Sequence, residues 1–302
     1  MRESEKEAMR ARRWGVFNHF LYSLPGSAMP EGEDTGDWNA RCELFDVERL
    51  ARDLHEIGAG YYFITLMQGR KYMAAPNAAF DVVAGTKSGE VCARRDLITA
   101  LKKYDIALCL YFTGDGPYKD EEIGAKFGFL NPRKNVSIDF CKKWATVLEE
   151  YSVRYGDDIK MWWVDGCYDY FGYDAEKLAV YEQAIRKGSE HTLITFNNGV
   201  KADLYNWYPG EDFTSGEFNF FTCVPKSPLI GDSLPHILAP LGISPDGGEW
   251  GAWGRGGCKK DHAYMRDYIR RVNDAGGIVS IDIQIRYDST LDPDQVAVLK
   301  GI

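Results

Sequence analysis

Short apolar runs alternate with amphipathic segments along this chain of 302 residues, and this alternation restricts the possible folds most strongly. The run 160–166 (KMWWVDG) is typical of a buried strand, because two tryptophans are followed by an acid and a glycine. Strands that alternate with helices indicate a parallel sheet. About eight strand candidates over this length favour a (β/α)8 barrel of the TIM type over an open doubly wound sheet. We therefore predict an α/β fold with a single domain over residues 1–302.

The hydrophobic pattern also predicts the separate elements of this barrel. The predicted strands cover residues 14–20, 61–67, 106–112, 160–166, 192–196, 210–217 and 277–285. The predicted helices cover residues 45–57, 95–104, 137–155, 174–191, 262–273 and 292–302. Two stretches rich in glycine and proline, 23–42 and 225–257, are predicted to be irregular. No GxGxxG turn follows an early strand and no P-loop pattern occurs, so the sequence does not support a nucleotide-binding fold.

Charge and hydropathy exclude some classes of partner. The net charge is −9, which gives no electrostatic support for binding to nucleic acid. Residues 1–13 are strongly charged and lack the apolar core of a signal peptide. No stretch is long and apolar enough to span a bilayer. We therefore expect a cytoplasmic protein, or a periplasmic or secreted one if a leader has been removed.

The cysteines and histidines indicate neither a disulfide framework nor a metal site. The seven cysteines are odd in number and form no CxxC pair, which favours a reducing compartment. The five histidines show no metal-ligand spacing. We expect no metal and no organic cofactor, and the sequence leaves the oligomeric state open.

Two acids stand at the predicted ends of different strands. Asp165 closes the run 160–166, and Glu217 closes the predicted strand 210–217. In parallel barrels the carboxyl ends of the strands carry the chemistry, so both carboxylates are expected at one mouth. Hydrolysis of a glycoside with retention needs two carboxyl groups roughly 5–5.5 Å apart, one as nucleophile and one as general acid/base. Asp165 and Glu217 are the candidates for these two roles.

Other acids compete with Glu217, since 45 acidic residues will place some at strand ends by chance. Glu211 and Asp212 lie in the same segment, and Glu249 lies in the irregular stretch 225–257. Asp282 falls inside the last predicted strand and is a candidate for the interior of the barrel. The spacing alone does not decide between Glu217 and a loop acid such as Glu249.

The order of several short segments is similar to that in the α-L-fucosidases of glycoside hydrolase family 29. The similar segments are 15–25 (GVFNHFLYSLP), 45–46 with 58–65 (FD and GAGYYFIT), 95–97 (RDL), 110–112 (LYF), 163–166 (WVDG) and 212–217 (DFTSGE). This resemblance implies that the chain is a retaining exo-glycosidase without a metal. It implies that Asp165 is the nucleophile and that Glu217 is the general acid/base.

The resemblance also implies a set of residues that bind the sugar. His19 matches a histidine on the first strand, Trp38 stands loosely where the family has a Glu-Trp pair, and Trp253 lies in a late Gly-rich segment. The full set of candidates is His19, Trp38, Gln68, Tyr111, Trp253 and Arg255. Without the resemblance, His19 would be interpreted as a core residue, and a loop anchor is the favoured interpretation of Trp38.

The chain departs from the family where the family contacts the sugar. Residues 66–72 (LMQGRKY) replace a segment with two histidines, which become Gln68 and Gly69. The final segment is also altered, at 280–284, and no segment similar to the family's C-terminal β-sandwich follows. Buried polar contacts are worth kcal/mol each, so the mechanism carries over better than the sugar specificity.

Three alternatives therefore stay open. The chain could be a glycosidase of the same fold that acts on a different sugar, or a carbohydrate-binding barrel without catalysis. A hydrolase or lyase that uses Asp165 as a metal ligand is a third option. In each glycosidase interpretation the partner is a small glycoside or an oligosaccharide, and the sequence does not define the glycan or its linkage.

Overall fold

The computed structural model describes residues 2–22, 38–86, 94–129 and 134–302, and within them seven parallel strands form one sheet. The strands are β1 Trp14–Asn18, β2 Tyr61–Thr65, β3 Ala107–Thr113, β4 Ile159–Asp165, β5 Leu193–Phe196, β6 His236–Pro240 and β7 Ile278–Asp282. Their order in the sheet is β5-β4-β3-β2-β1-β7-β6. Because all strands are parallel, their carboxyl ends lie at one edge.

Helices connect these strands, as the alternation predicts. They are α1 Glu3–Ala11, α2 Trp38–Glu43, α3 Val47–Ile57, α4 Ala78–Ala84, α5 Arg94–Lys102, α6 Glu121–Phe127, α7 Ile138–Tyr155, α8 Ala175–Arg186, α9 His262–Asp274 and α10 Pro293–Leu299. Several begin at a side-chain cap: the Ser137 hydroxyl accepts from Phe140 N, and the Asp174 carboxylate accepts from Lys177 N.

The α/β class is confirmed, but the described residues do not form eight strands. The segment 212–218 lies in the gap between β5 and β6, where Asp212 N donates to Ile194 O and Phe218 N donates to Leu238 O. It forms isolated parallel bridges rather than the predicted strand 210–217. Gly216 explains the irregularity, because its φ is +57° and a Cβ there would lie 1.8 Å from His236 O. The backbones approach too closely for a regular, side-chain-bearing strand.

Some local predictions were wrong. The strand β6 was not predicted, because it lies inside 225–257 and only four of its residues separate Pro235 from Pro240. The helix α2 occupies part of 23–42, and the rest of that stretch lies outside the described residues. The charged N-terminus forms α1, whose Met9 joins the interior cluster.

The core has two layers, one inside the curled sheet and one between the sheet and the helices. Along β4, Met161 and Trp163 belong to the inner cluster, whereas Trp162 and Val164 belong to the outer cluster. Both faces of the strand are therefore buried, which explains the continuous apolar run. The inner layer extends to Trp163 and supports the floor of the mouth.

His236 ties the segment of Glu217 to the sheet. Its Nδ1 lies 3.1 Å from Thr214 O and 3.2 Å from Ser215 O, and its Nε2 lies 2.7 Å from Ser280 Oγ. Carbonyl oxygens only accept, so Nδ1 carries the proton and Nε2 accepts from the Ser280 hydroxyl. Complete burial lowers the pKa of His236 to about 4.

We expect His236 to make stability depend on pH. Its folded pKa lies below its unfolded value, so its contribution is complete above about pH 6.5 and is lost as pH falls towards 4. The loss reaches about 3 kcal/mol. The glutamine in the variant His236→Gln does not titrate. The parent's free energy of unfolding, relative to that of this variant, should therefore decrease from pH 7 to pH 4. Urea unfolding of both proteins across this range measures it, and a constant difference would contradict the assignment.

Candidate active site

A cavity of about 320 Å³ opens at the carboxyl ends of the strands. Its lining contains both acids that the sequence singled out, together with aromatic, polar and cationic side chains. The lining residues are Phe17, His19, Gln68, Tyr111, Tyr118, Lys119, Trp163, Asp165, Glu217, Leu238, Gly251, Trp253 and Arg255. This volume suits one monosaccharide unit with its neighbouring atoms.

Asp165 is held at the end of β4 by hydrogen bonds to both of its oxygens. The Tyr111 hydroxyl donates to Oδ2 at 2.5 Å, and Gln68 Nε2 lies 3.4 Å from the same oxygen. The Oδ1 atom accepts from Asn197 Nδ2 at 2.8 Å and from the Tyr168 hydroxyl at 3.3 Å. These donors fix the direction of the carboxylate and stabilise its negative charge.

Asn197 also reaches the second acid. Its Nδ2 donates to Glu217 Oε2 at 2.7 Å as well as to Asp165 Oδ1. Because one nitrogen bonds both oxygens, these oxygens cannot lie farther apart than the two bond lengths added together. The two carboxyl groups, which lie 52 residues apart in sequence by their numbers 165 and 217, are thus neighbours in space.

The surroundings of Glu217 favour its protonated form. Desolvation and, to a smaller extent, the negative charge of Asp165 raise the pKa of Glu217 to about 7, against the opposing effect of the hydrogen bond from Asn197. Two neighbouring acids in different surroundings are the arrangement in which one carboxyl group can supply a proton while the other stays charged.

His19 lies on another wall of the cavity with its orientation fixed. Its Nδ1 is 2.8 Å from Asp282 Oδ1, and the ring packs against Trp253 at a centroid distance of 5.8 Å. A carboxylate oxygen accepts, so Nδ1 is the donor and Nε2 is left for the cavity. Asp282 is therefore an interior acid, as the sequence suggested, and its hydrogen bond fixes the orientation of the His19 ring.

Gln68 and Tyr111 form one polar group beside Asp165. Gln68 Nε2 donates to the Tyr111 hydroxyl at 2.6 Å, and the Tyr111 ring stacks on Trp163 at 5.4 Å. Gly69 has φ +70°, and a Cβ there would lie 2.9 Å from the Tyr118 ring. The Tyr118 ring thus fills the space next to the position where the fucosidase motif has its second histidine.

The structure brings together most of the predicted sugar-binding residues and separates one of them. His19, Gln68, Tyr111, Trp253 and Arg255 all line the cavity. Trp38 does not line it, because its indole N–H donates to Met73 O at 2.6 Å and its ring packs on Phe20. This position agrees with the anchor interpretation of Trp38.

The acids that compete with Glu217 have other surroundings. Glu211 is buried and accepts from Phe196 N and Trp207 N at 3.0 Å each, so its oxygens hold a loop. Asp212 pairs with Arg2 and Arg186 at 2.7 Å each. Glu249 is exposed and lies 3.7 Å from Lys260 Nζ. None of these three acids lines the cavity.

Sequence reasoning missed some residues of the site. Asn197 stands directly after β5, and its place at a strand end was the available signal. Tyr168, Tyr118 and Lys119 lie in loops, where the pattern of hydrophobic residues does not indicate which side chains face the mouth.

Within the described residues, no group of three or more histidines, cysteines and acids could hold a metal ion. The helices there include none that is long and apolar enough to cross a membrane.

Comparisons with known proteins connect this geometry to one fold. No family model and no curated protein matches the sequence. The fold is similar to the α-L-fucosidase AlfC from Lactobacillus casei in complex with its α-L-fucose product, with a TM-score of 0.68 and 17% identity over 99% of this chain and 98% of that chain. A family 29 α-L-fucosidase from Bacteroides thetaiotaomicron has a TM-score of 0.65 at 17% identity, over 100% and 73% of the two chains.

A different glycosidase family shares the fold as well. An endo-fucoidan hydrolase of glycoside hydrolase family 107 has a TM-score of 0.71 at 14% identity, over 97% of this chain and 53% of that chain. The resemblance to fucosidases that the motifs indicate is therefore confirmed at the level of the fold.

The contacts of Glu217 predict two opposite changes in its pKa. The substitution Asp165→Asn removes a negative charge and should lower the pKa of Glu217, whereas Asn197→Ala removes a hydrogen bond and should raise it. Carbon-13 NMR of labelled glutamate carboxyl groups measures both shifts, and the spectrum of Glu217→Gln identifies the resonance. Glu211 is the internal control, because Asp165 is not among the causes of its raised pKa. A Glu217 pKa that does not respond to Asp165→Asn would contradict the close pairing.

Proposed function

We propose that this protein is a retaining exo-glycosidase that hydrolyses a terminal α-L-fucosyl group. The observation that carries the proposal is the contact of one amide, that of Asn197, with both Asp165 and Glu217. Such a short distance agrees with the roughly 5–5.5 Å between carboxyl groups in retaining enzymes and leaves too little room for the water between them that inverting enzymes need. The shared fold with fucosidases supports the choice of sugar.

In the first step Asp165 attacks the anomeric carbon. A bond forms between that carbon and a carboxylate oxygen of Asp165, and the bond to the leaving oxygen breaks. Glu217 gives its proton to the leaving oxygen, a role that its raised pKa supports near neutral pH. The donors on Asp165 hold the attacking oxygen in place while the bond forms.

In the second step Glu217, now ionised, takes a proton from water. The water oxygen bonds to the anomeric carbon, and the bond to Asp165 breaks, so the free sugar keeps its original configuration. Trp163 and Trp253 give the cavity wall an aromatic surface for the apolar side of the sugar, and His19 offers its Nε2 to a hydroxyl group. Arg255 adds a cation to the wall.

A second candidate keeps this mechanism and changes the sugar. Gln68 and the Tyr118 ring occupy the region where the fucosidase motif has two histidines, so the polar contacts there differ. A panel of aryl glycosides separates the candidates, because cleavage of another glycoside without cleavage of the fucoside favours the second. A carbohydrate-binding barrel without catalysis would bind sugar, cleave no glycoside and bind equally well after Asp165→Asn.

We expect Asp165→Asn to lower kcat on an aryl α-L-fucoside by about a thousandfold or more, because the nucleophile is lost. The matched control is Asp169→Asn in the following loop, whose exposed carboxylate accepts from Tyr170 N. The control should keep activity within about twofold of the parent. Initial rates with both variants test the role, and near-parent activity of Asp165→Asn would overturn it.

The protonation of Glu217 should determine how kcat/KM changes on the alkaline side of the pH profile. Protonated Glu217 is the active form, so kcat/KM should fall as pH rises through about 7. The substitution Glu217→Gln should abolish this limb and lower activity most for substrates with poor leaving groups. Glu249→Gln is the control that decides between the two acids. If the limb vanished in Glu249→Gln and survived in Glu217→Gln, the loop acid would be the general acid.

A further inference from the structure

Two aromatic side chains form a pair beside the cavity, the exposed Trp250 and the half-buried Phe220, which we call the aromatic rim pair. Trp250 is 67% exposed, and its ring lies 5.9 Å from that of Phe220 at an angle of 62°. The next residue, Gly251, lines the cavity, and Phe220 follows Glu217 by three positions. The pair is therefore continuous with the site on the side of Glu217.

The backbone of the aromatic rim pair is fixed by a buried cation. Lys259 Nζ donates to Asn219 O at 3.0 Å and to Glu249 O at 2.6 Å, and these two residues directly precede the two aromatics. Lys259 is only 7% exposed, and desolvation lowers its pKa to about 8. Burying an ammonium group is costly, so these bonds hold the two segments firmly together.

A further hydrogen bond joins the two segments at the cavity edge. Gly251 N donates to Asn219 Oδ1 at 2.8 Å. A large apolar side chain in water lacks the favourable free energy of burial. The Trp250 side chain is nevertheless exposed, on a backbone that these hydrogen bonds hold in place. A rigid aromatic face beside a sugar-sized cavity suits a ring with an apolar C–H face, such as a pyranose.

The position of the general acid indicates which sugar unit of the substrate would lie on this aromatic face. A general acid must contact the leaving oxygen, so the leaving group lies on the side of Glu217. We propose that the aromatic rim pair is a binding subsite for the leaving-group saccharide, whose ring stacks on Trp250. This inference rests on the proposed function, and it assigns the substrate to oligosaccharides rather than to small glycosides.

The test compares substrates with and without a saccharide leaving group. The variants Trp250→Ala and Trp250→Phe are assayed on 2′-fucosyllactose, on 3-fucosyllactose and on α-L-fucosyl fluoride, whose leaving group is a single ion. We expect Trp250→Ala to lower kcat/KM on the fucosyllactose that is cleaved by about 5- to 10-fold and to leave the fluoride within about twofold. Trp250→Phe should retain most of the activity. The control Val153→Ala removes an exposed apolar side chain on α7 and should change neither rate.

Equal losses on both kinds of substrate, or no loss on either, would overturn the subsite. A binding measurement keeps this result separate from the proposed function. Lactose is titrated into the labelled parent, and the Trp250 indole N–H is identified as the NMR peak absent from Trp250→Phe. Movement of this peak supports the subsite even if no fucoside is cleaved, and an unmoved peak contradicts it. Absence of cleavage of every fucoside would instead contradict the proposed function.

Lys259 is a positioning residue for the subsite. The substitution Lys259→Met keeps the length of the side chain and removes the donors to Asn219 O and Glu249 O. We expect KM for the cleaved fucosyllactose to rise about fivefold while kcat/KM on the fluoride stays within about twofold. An equal loss on both substrates would show that Lys259 supports only the general structure of the loop.

Discussion

The hydrogen bonds from the Asn197 amide to Asp165 and Glu217 are the contact on which the proposed chemistry depends. They join the end of β4 to the segment that follows β5, two parts of the chain that meet only in the folded state. Two carboxyl groups so close cannot both be charged at low cost, and desolvation together with the charge of Asp165 raises the pKa of Glu217. In the proposed mechanism the charged member of the pair attacks and the protonated member donates its proton.

The fold maintains this pair through backbone contacts around the segment 212–218. The hydrogen bonds of His236 and the close backbone approach at Gly216 hold that segment next to β6. At the start of the segment, Asp212 accepts a hydrogen bond from β5 and forms ion pairs with two arginines. The position of the Glu217 side chain thus depends on the irregular segment 212–218 rather than on a regular strand. The chain continues directly from this segment to the aromatic rim pair, so the same stretch of backbone positions the proposed acid and the proposed leaving-group subsite.

The sequence predicted the parts of the structure that depend on burial. The strands β1 to β5 and β7 are visible because both of their faces are apolar, and Asp165 is visible because an acid ends such a run. The strand β6 was missed because the four residues between Pro235 and Pro240 show too little pattern. Asn197 and Lys259 could not be assigned, since their roles come from contacts with residues farther along the chain, and Tyr168 could not because it stands in a loop without a hydrophobic pattern. Glu211 and Glu217 look alike in sequence, and only the donors around Glu211 reveal its structural role.

The most direct test of the paired carboxyl groups is the configuration of the first product. An aryl α-L-fucoside is hydrolysed in an NMR tube, and the anomeric proton of the released sugar is followed before mutarotation. A double displacement at Asp165 with Glu217 as acid/base predicts that α-L-fucose forms first. Initial formation of the β-anomer would mean a single displacement by water, and it would contradict the role of Asp165 as nucleophile.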